Sequence, residues 1–131
     1  MAIGIVQLGT PRRRGEGIRL GTVRRPPRGV RRTDYAKQNY YDVWLPNLSP
    51  SAKLVRMGLD ADDRAAWTKF VRRFTTELRQ PEASHLLDAL AALSHVADFS
   101  VGCYCDDEAR CHRSVLRREL ERRGAAIRRA S

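Results

Sequence analysis

The sequence has very little lysine and no long apolar run. Lysine occurs only at Lys37, Lys53 and Lys69, although lysine and arginine together number 25 of the 131 residues. No apolar stretch approaches the roughly 20 residues that a membrane-spanning helix needs, which excludes a helical membrane protein. The apolar segment near the N-terminus is short and no charged leader precedes it. We therefore expect no signal peptide and predict a cytoplasmic protein without a membrane partner.

Cysteine is also scarce, and its placement is uneven. The chain has three cysteines, all between Cys103 and Cys111. An odd number cannot all pair within one chain, and a secreted disulfide scaffold would spread its bridges along the sequence. The pattern excludes a disulfide-stabilised fold and predicts reduced thiols.

Arginine supplies almost all of the positive charge. The formal net charge is +10, and the 42% of hydrophobic and 31% of charged residues are typical of a folded domain. The planar guanidinium group suits bidentate binding of phosphate, and a field of this sign attracts polyanions. Nucleic acid or a phosphorylated small molecule is therefore the expected partner. Arginine-rich composition is also common where genomes are rich in G and C, so charge alone does not decide the matter.

Hydrophobic periodicity predicts strands near both ends of the chain and helices between them. The whole chain, 1–131, is expected to form a small single α/β domain, with a short, at least partly parallel sheet flanked by helices. Residues 125–131 are expected to fray. The predicted strands cover 3–8, 18–23 and part of 98–104, and the predicted helices begin near Ala52, Asp60, Glu82 and Ser114.

Two strand ends carry residues that suit an anion site. Arg24 and Arg28 lie in the basic loop "RRPPRGVRR" after the second strand, and Arg113 and Ser114 lie where the last helix begins. Helix N-termini offer unpaired backbone N–H groups, and open α/β sheets bind ligands at the carboxyl ends of their strands. We expect these four residues to bind a phosphate, nucleotide or nucleic-acid backbone, without a resident cofactor.

The cysteines allow two alternatives. Cys111 at a helix entrance, assisted by His112 or Arg113, is a candidate nucleophile or redox centre. Cys103, Cys105, Cys111 and His112 are a candidate zinc set, but adjacent residues such as Cys111 and His112 are expected to point apart, which disfavours it. Burial as small apolar side chains is the simplest interpretation of Cys103 and Cys111.

Several segments together resemble a known family. "DVWLPNLSPSAKLV", "AAWTKFVRRFTTEL" and the series Cys103, His112, Arg113, Ser114 are similar, in order and spacing, to motifs of the YeaO-like branch of the domain of unknown function 488 (DUF488). The resemblance implies a compact α/β domain and no known reaction. Val23 and Pro26 stand where the family usually has Asp and Trp, and Cys105 stands where it often has an acid. These departures weaken any catalytic implication and leave the arginines in place.

Overall fold

The computed structural model describes residues 1–129 and contains four strands and four helices. The strands are β1 (Ile3–Gln7), β2 (Ile18–Gly21), β3 (Val43–Trp44) and β4 (Phe99–Cys103), and the helices are α1 (Ala52–Asp60), α2 (Arg64–Leu78), α3 (Pro81–Leu93) and α4 (Arg113–Arg122). None of the helices in this part of the chain is both long and apolar enough to cross a membrane.

All four strands are parallel and lie in the order β1-β4-β2-β3. The last strand therefore inserts between the first two, with Ile5 and Leu20 both opposite Val101. Parallel strands place their carboxyl ends at one edge of the sheet, so the loops after β2 and β4 leave from adjacent positions. The predicted small α/β domain is confirmed, and its sheet is parallel throughout.

The side chains of β4 alternate between the two faces of the sheet, and both faces are buried. Phe99 and Val101 join the main core with Phe74, Leu87 and Leu116 from the helices. The intervening Ser100 is fully buried too, and its hydroxyl donates to the Glu16 carbonyl in the loop after β1. Period-two alternation thus presents apolar residues to the helices and small or polar residues to the connecting loops.

A buried ion pair fixes the loop after β1. Arg19 of β2 is 1% exposed and Glu16 is 4% exposed, and the Arg19 guanidinium donates to the Glu16 carboxylate and to the carbonyls of Thr10 and Asn39. Burial would raise the pKa of Glu16, but hydrogen bonds from Arg19 and the Arg13 backbone N–H hold it below its usual range. One side chain therefore joins two long loops to the sheet.

Two local predictions need correction. The N-cap of α2 is Asp63, whose carboxylate accepts from Ala66 N at 2.7 Å, and not Asp60, because α1 continues through Asp60. The C-terminal segment, expected to fray from 125 onward, instead pairs with β1. Ile3 N donates to Ala126 O at 2.8 Å and Arg128 N donates to Ile3 O at 2.7 Å. Residues 130 and 131 of the predicted tail lie outside the described residues.

We predict that Glu16→Gln lowers the free energy of unfolding by about 3 kcal/mol near neutral pH, because it leaves a buried guanidinium without its counter-charge. The lowered pKa of Glu16 means that its contribution is present above the unfolded value, about 4.3, and is lost as the pH falls through the folded value. The difference between wild type and variant, measured by urea unfolding, should shrink on acidification. Exposed Asp62→Asn is the control, and a difference independent of pH would contradict the prediction.

Candidate functional site

A cleft of about 600 Å³ opens at the carboxyl edge of the sheet, and we call it the rim cleft. The loop after β2, the start and end of α1, the first turns of α2 and the segment after β4 all contribute to it. Its size lies within the range of small-molecule sites, about 300–1,000 Å³. The parallel pairing of β2 with β4 brings the two loops together, as the anion hypothesis required.

Five arginines line the rim cleft, and none of them forms an ion pair with a carboxylate within residues 1–129. They are Arg24, Arg25, Arg28, Arg56 and Arg110. All but Arg24 are exposed. Acidic side chains are absent from the described lining of the cleft, so its positive potential is not neutralised locally.

Arg24 stabilises the backbone by hydrogen bonds in addition to contributing a positive charge. Its Nε donates to Pro50 O at 3.0 Å, and its Nη2 donates to Ser49 O at 3.1 Å and to Pro46 O at 3.3 Å. These bonds attach the loop after β2 to the segment that leads into α1. Arg28 makes no such contact and remains available at the rim.

The structure does not place Arg113 and Ser114 at the rim cleft. Arg113 is 3% exposed, and its Nη2 donates to Cys105 O at 2.6 Å beneath the loop after β4. The Ser114 hydroxyl donates to Cys111 O at 2.9 Å. Through these hydrogen bonds both side chains hold the backbone around the cysteines in place.

Apolar side chains line the rim cleft beside the arginines. Leu59 is 71% exposed, and the half-buried Val55 and Trp67 lie beside it in the lining, with buried Phe70 below. Trp67 stacks on Phe70 with ring centroids 4.9 Å apart, and the Arg110 guanidinium lies 5.2 Å from the Trp67 ring centroid. The cleft thus combines cationic and apolar walls.

The floor of the rim cleft holds the three cysteines and His112. Cys103 Sγ lies 3.9 Å from Cys105 Sγ and 3.7 Å from His112 Nδ1, and Cys111 Sγ lies 4.0 Å from the same nitrogen. Cys103 and Cys111 are 5% and 2% exposed, whereas Cys105 is half-buried. We call these three residues the thiol cluster.

His112 is held in one orientation. Its Nε2 lies 2.7 Å from Thr22 O, and a carbonyl can only accept, so Nε2 carries the proton. The ring also makes an edge-to-face contact with Phe74, with centroids 5.8 Å apart. In the neutral imidazole the Nδ1 lone pair therefore points at the thiol cluster.

The expectation that Cys111 and His112 point apart is wrong. Cys111 has an extended backbone (φ −126°, ψ 153°), and His112 already has helical angles (φ −61°, ψ −14°). The alternation that separates neighbouring side chains holds only within a continuous strand. The change of conformation between the two residues turns both side chains toward Cys103.

Hydrogen bonds within the thiol cluster shift the pKa values of Cys103 and Cys111 in opposite directions. Donation from Cys103 and Cys105 holds the pKa of Cys111 well below its usual range, although burial opposes this. Hydrogen bonding to Cys105 and Cys111, together with burial, raises the pKa of Cys103.

Sequence reasoning missed part of the site. Arg56 and Leu59 lie on the exposed side of α1, where no local motif marked them. The contact made by the backbone carbonyl of Thr22 could not be predicted, because every residue has such a group. Tyr41, in the segment between β2 and β3, covers the sheet, since it is 3% exposed and packs with Leu8 and Cys103.

Comparison with protein families gives one informative match. Residues 3–124 match the DUF488-N3a family, described as the active DUF488-N3 subclade. Comparisons with curated proteins and with solved structures find no match. Because the match spans nearly the entire chain and includes every strand, helix and cleft residue named above, this protein belongs to the DUF488 family.

Proposed function

We propose that the rim cleft binds a nucleoside phosphate, either as a free nucleotide or as part of a nucleic acid. The observation that carries the proposal is a set of five arginines without carboxylate partners among the described residues, beside apolar side chains, in a cleft at the carboxyl edge of a parallel sheet. Guanidinium groups bind phosphate by paired, charge-assisted hydrogen bonds. Apolar side chains favour burial of the face of a base.

A second arginine-rich groove provides an internal comparison. This β1 groove, about 510 Å³, runs along β1 and the loop after it. Four of its arginines are paired with carboxylates: Arg12 with Asp42, Arg19 with Glu16, Arg117 with Glu108 and Arg128 with Asp98. An anion would have to compete with these bonds, so the rim cleft is the better anion site.

We expect the phosphate and the base or sugar of the proposed ligand to contact different residues of the rim cleft. Arg28 and Arg56 are the expected phosphate contacts, because both are exposed and neither donates a side-chain hydrogen bond to any described residue. The 71% exposure of Leu59 offers apolar area to the base or sugar. Desolvating such a surface is favourable, at about 25 cal/mol per Å².

We predict that the double variant Arg28→Gln/Arg56→Gln binds a fluorescent nucleotide at least about tenfold more weakly than wild type, because two charge-assisted contacts are lost. Arg72→Gln/Arg118→Gln removes the same charge from exposed sites outside the cleft and is the matched control. Fluorescence anisotropy over a salt series measures both affinity and its salt dependence. The cleft variant should also lower the salt slope by about one for each phosphate contact removed.

Equal weakening by both double variants would show only a general charge effect and would contradict the proposal. Wild-type affinity that does not change with salt concentration would also contradict the proposal. Short single-stranded DNA and RNA, titrated in parallel with the free nucleotide, distinguish the two sources of the ligand.

We further predict that Leu59→Ser weakens nucleotide binding severalfold but leaves competition by inorganic phosphate unchanged, because only the base or sugar contacts Leu59. Displacement of the fluorescent nucleotide by unlabelled nucleotide and by phosphate measures the two effects. Exposed Leu93→Ser, outside the cleft, is the control. Equal losses for phosphate and nucleotide would contradict the assignment of Leu59 to the apolar part of the ligand.

Thiol-dependent chemistry at Cys111, with His112 or Arg113 assisting, is the alternative proposal. The Arg113 N–H points at Cys111 Sγ over 3.5 Å, which is the environment that activates a thiol at a helix N-terminus. The 2% exposure of Cys111 opposes it, since reactive cysteines are partly exposed. The anion proposal is therefore better supported.

Alkylation separates these two proposals. In chelator-treated protein we predict that iodoacetamide labels Cys105 before Cys103 and Cys111, because only Cys105 is half-buried rather than buried. Peptide mass spectrometry over a time course identifies the order, and unfolded protein, in which all three should react alike, is the control. Labelling of Cys111 first would instead favour the thiol-dependent enzyme.

A further inference from the structure

We propose that Cys103, Cys105, Cys111 and His112 bind a zinc ion at the floor of the rim cleft. The ligand atoms of Cys103, Cys111 and His112 all lie within 4.8 Å of one another, and Cys105 Sγ lies 3.9 Å from Cys103 Sγ. This inference does not depend on nucleotide binding, because the groups that carry it are the floor residues and not the arginines.

The spacing of these atoms suits a tetrahedral zinc centre. Zn–S bonds of about 2.3 Å and Zn–N bonds of about 2.0 Å place neighbouring ligand atoms about 3.5–3.8 Å apart. The observed separations are 3.9 Å between Cys103 and Cys105, 3.7 Å from Cys103 to His112 Nδ1 and 4.0 Å from Cys111 to the same nitrogen. Cys103, Cys111 and His112 already lie close to this spacing, whereas Cys105, which is outside the group whose ligand atoms all lie within 4.8 Å of one another, must move toward the other ligands to complete the tetrahedron.

The surroundings already orient the ligands. His112 presents Nδ1 because Nε2 donates to Thr22 O, which is the arrangement that holds metal-binding histidines in proteins. The Arg113 backbone N–H points at Cys111 Sγ, and the Arg113 side chain holds the carbonyl of Cys105 at 2.6 Å. Both contacts fix the segments that carry thiol ligands before any ion binds.

The chemistry of the set selects zinc among common divalent ions. Three thiolates and one imidazole are soft donors that disfavour Mg²⁺ and Ca²⁺, and a Cys₃His set is a recognised structural zinc set. Zinc with three thiolates has a net charge of −1, which the arginines of the cleft and the N-terminus of α4 can balance. Any thiol of the set that is still protonated releases its proton when the ion binds.

Four protein ligands imply a structural zinc and not a catalytic one. The ion would connect the end of β4, the loop that follows it and the entrance of α4, and through His112 also the end of β2. These are the segments that shape the floor of the rim cleft. Metal binding should therefore stabilise the folded chain.

The test uses the full-length chain expressed with zinc, purified under reducing conditions and dialysed. We expect one zinc ion per chain by elemental analysis, and we expect Cys111→Ser and His112→Ala to lose stoichiometric zinc. His85→Ala, an exposed histidine outside the cleft, should keep it. Cobalt added to the chelated wild type should give the intense visible bands of tetrahedral cobalt bound to thiolates.

Two measurements on wild type keep the proposal falsifiable if a variant does not fold. Zinc should protect all three cysteines of the folded protein from alkylation, and chelation should lower the midpoint of thermal unfolding. Folded, reduced wild type that binds no zinc at micromolar concentrations, or cobalt that gives only the weak spectrum of the hydrated ion, would overturn the proposal. The nucleotide titrations test the contribution of the arginines and not metal binding, so either proposal can fail while the other stands.

Discussion

The parallel pairing of β2 with β4 is the constraint on which the site depends. Ile18 lies opposite Phe99 and Gly21 opposite Gly102, so the two strands end side by side. Thr22, which directly follows β2, donates both its N–H and its hydroxyl to Gly102 O, and its carbonyl accepts from His112. Without this register the basic loop and the thiol cluster would not meet, because they are about 80 residues apart in the chain.

Arginine has two different uses in this protein, and the difference decides where a ligand can bind. Arg19 and Arg113 are buried and donate to backbone carbonyls of the connecting loops, so they stabilise those loops. Arg28 and Arg56 are exposed and have no carboxylate partner among the described residues. A high arginine content is therefore not in itself evidence of binding. What matters is which guanidinium groups the fold leaves unpaired around one cavity.

The sequence determined the elements of the fold better than it determined the site. Periodicity placed the strands around Ile3, Ile18 and Phe99 and the four helices, because burial imposes those patterns locally. It predicted Cys103 at a strand end and Cys111 at a helix entrance, and both lie there. It did not predict that Cys111 and His112 converge, because this follows from one change of backbone conformation between adjacent residues. Nor did it predict the burial of Arg113, which depends on the path of the loop after β4.

The two proposed sites are compatible because they occupy different depths of one cleft. Cys103 and Cys111 are buried at the floor, whereas Arg28, Arg56 and Leu59 are exposed at the rim. A zinc centre with a charge of −1 would repel a phosphate at the floor and favour its binding at the rim, where the unpaired guanidinium groups lie. An ion that holds the floor in place would therefore also determine how deeply an anionic ligand can enter.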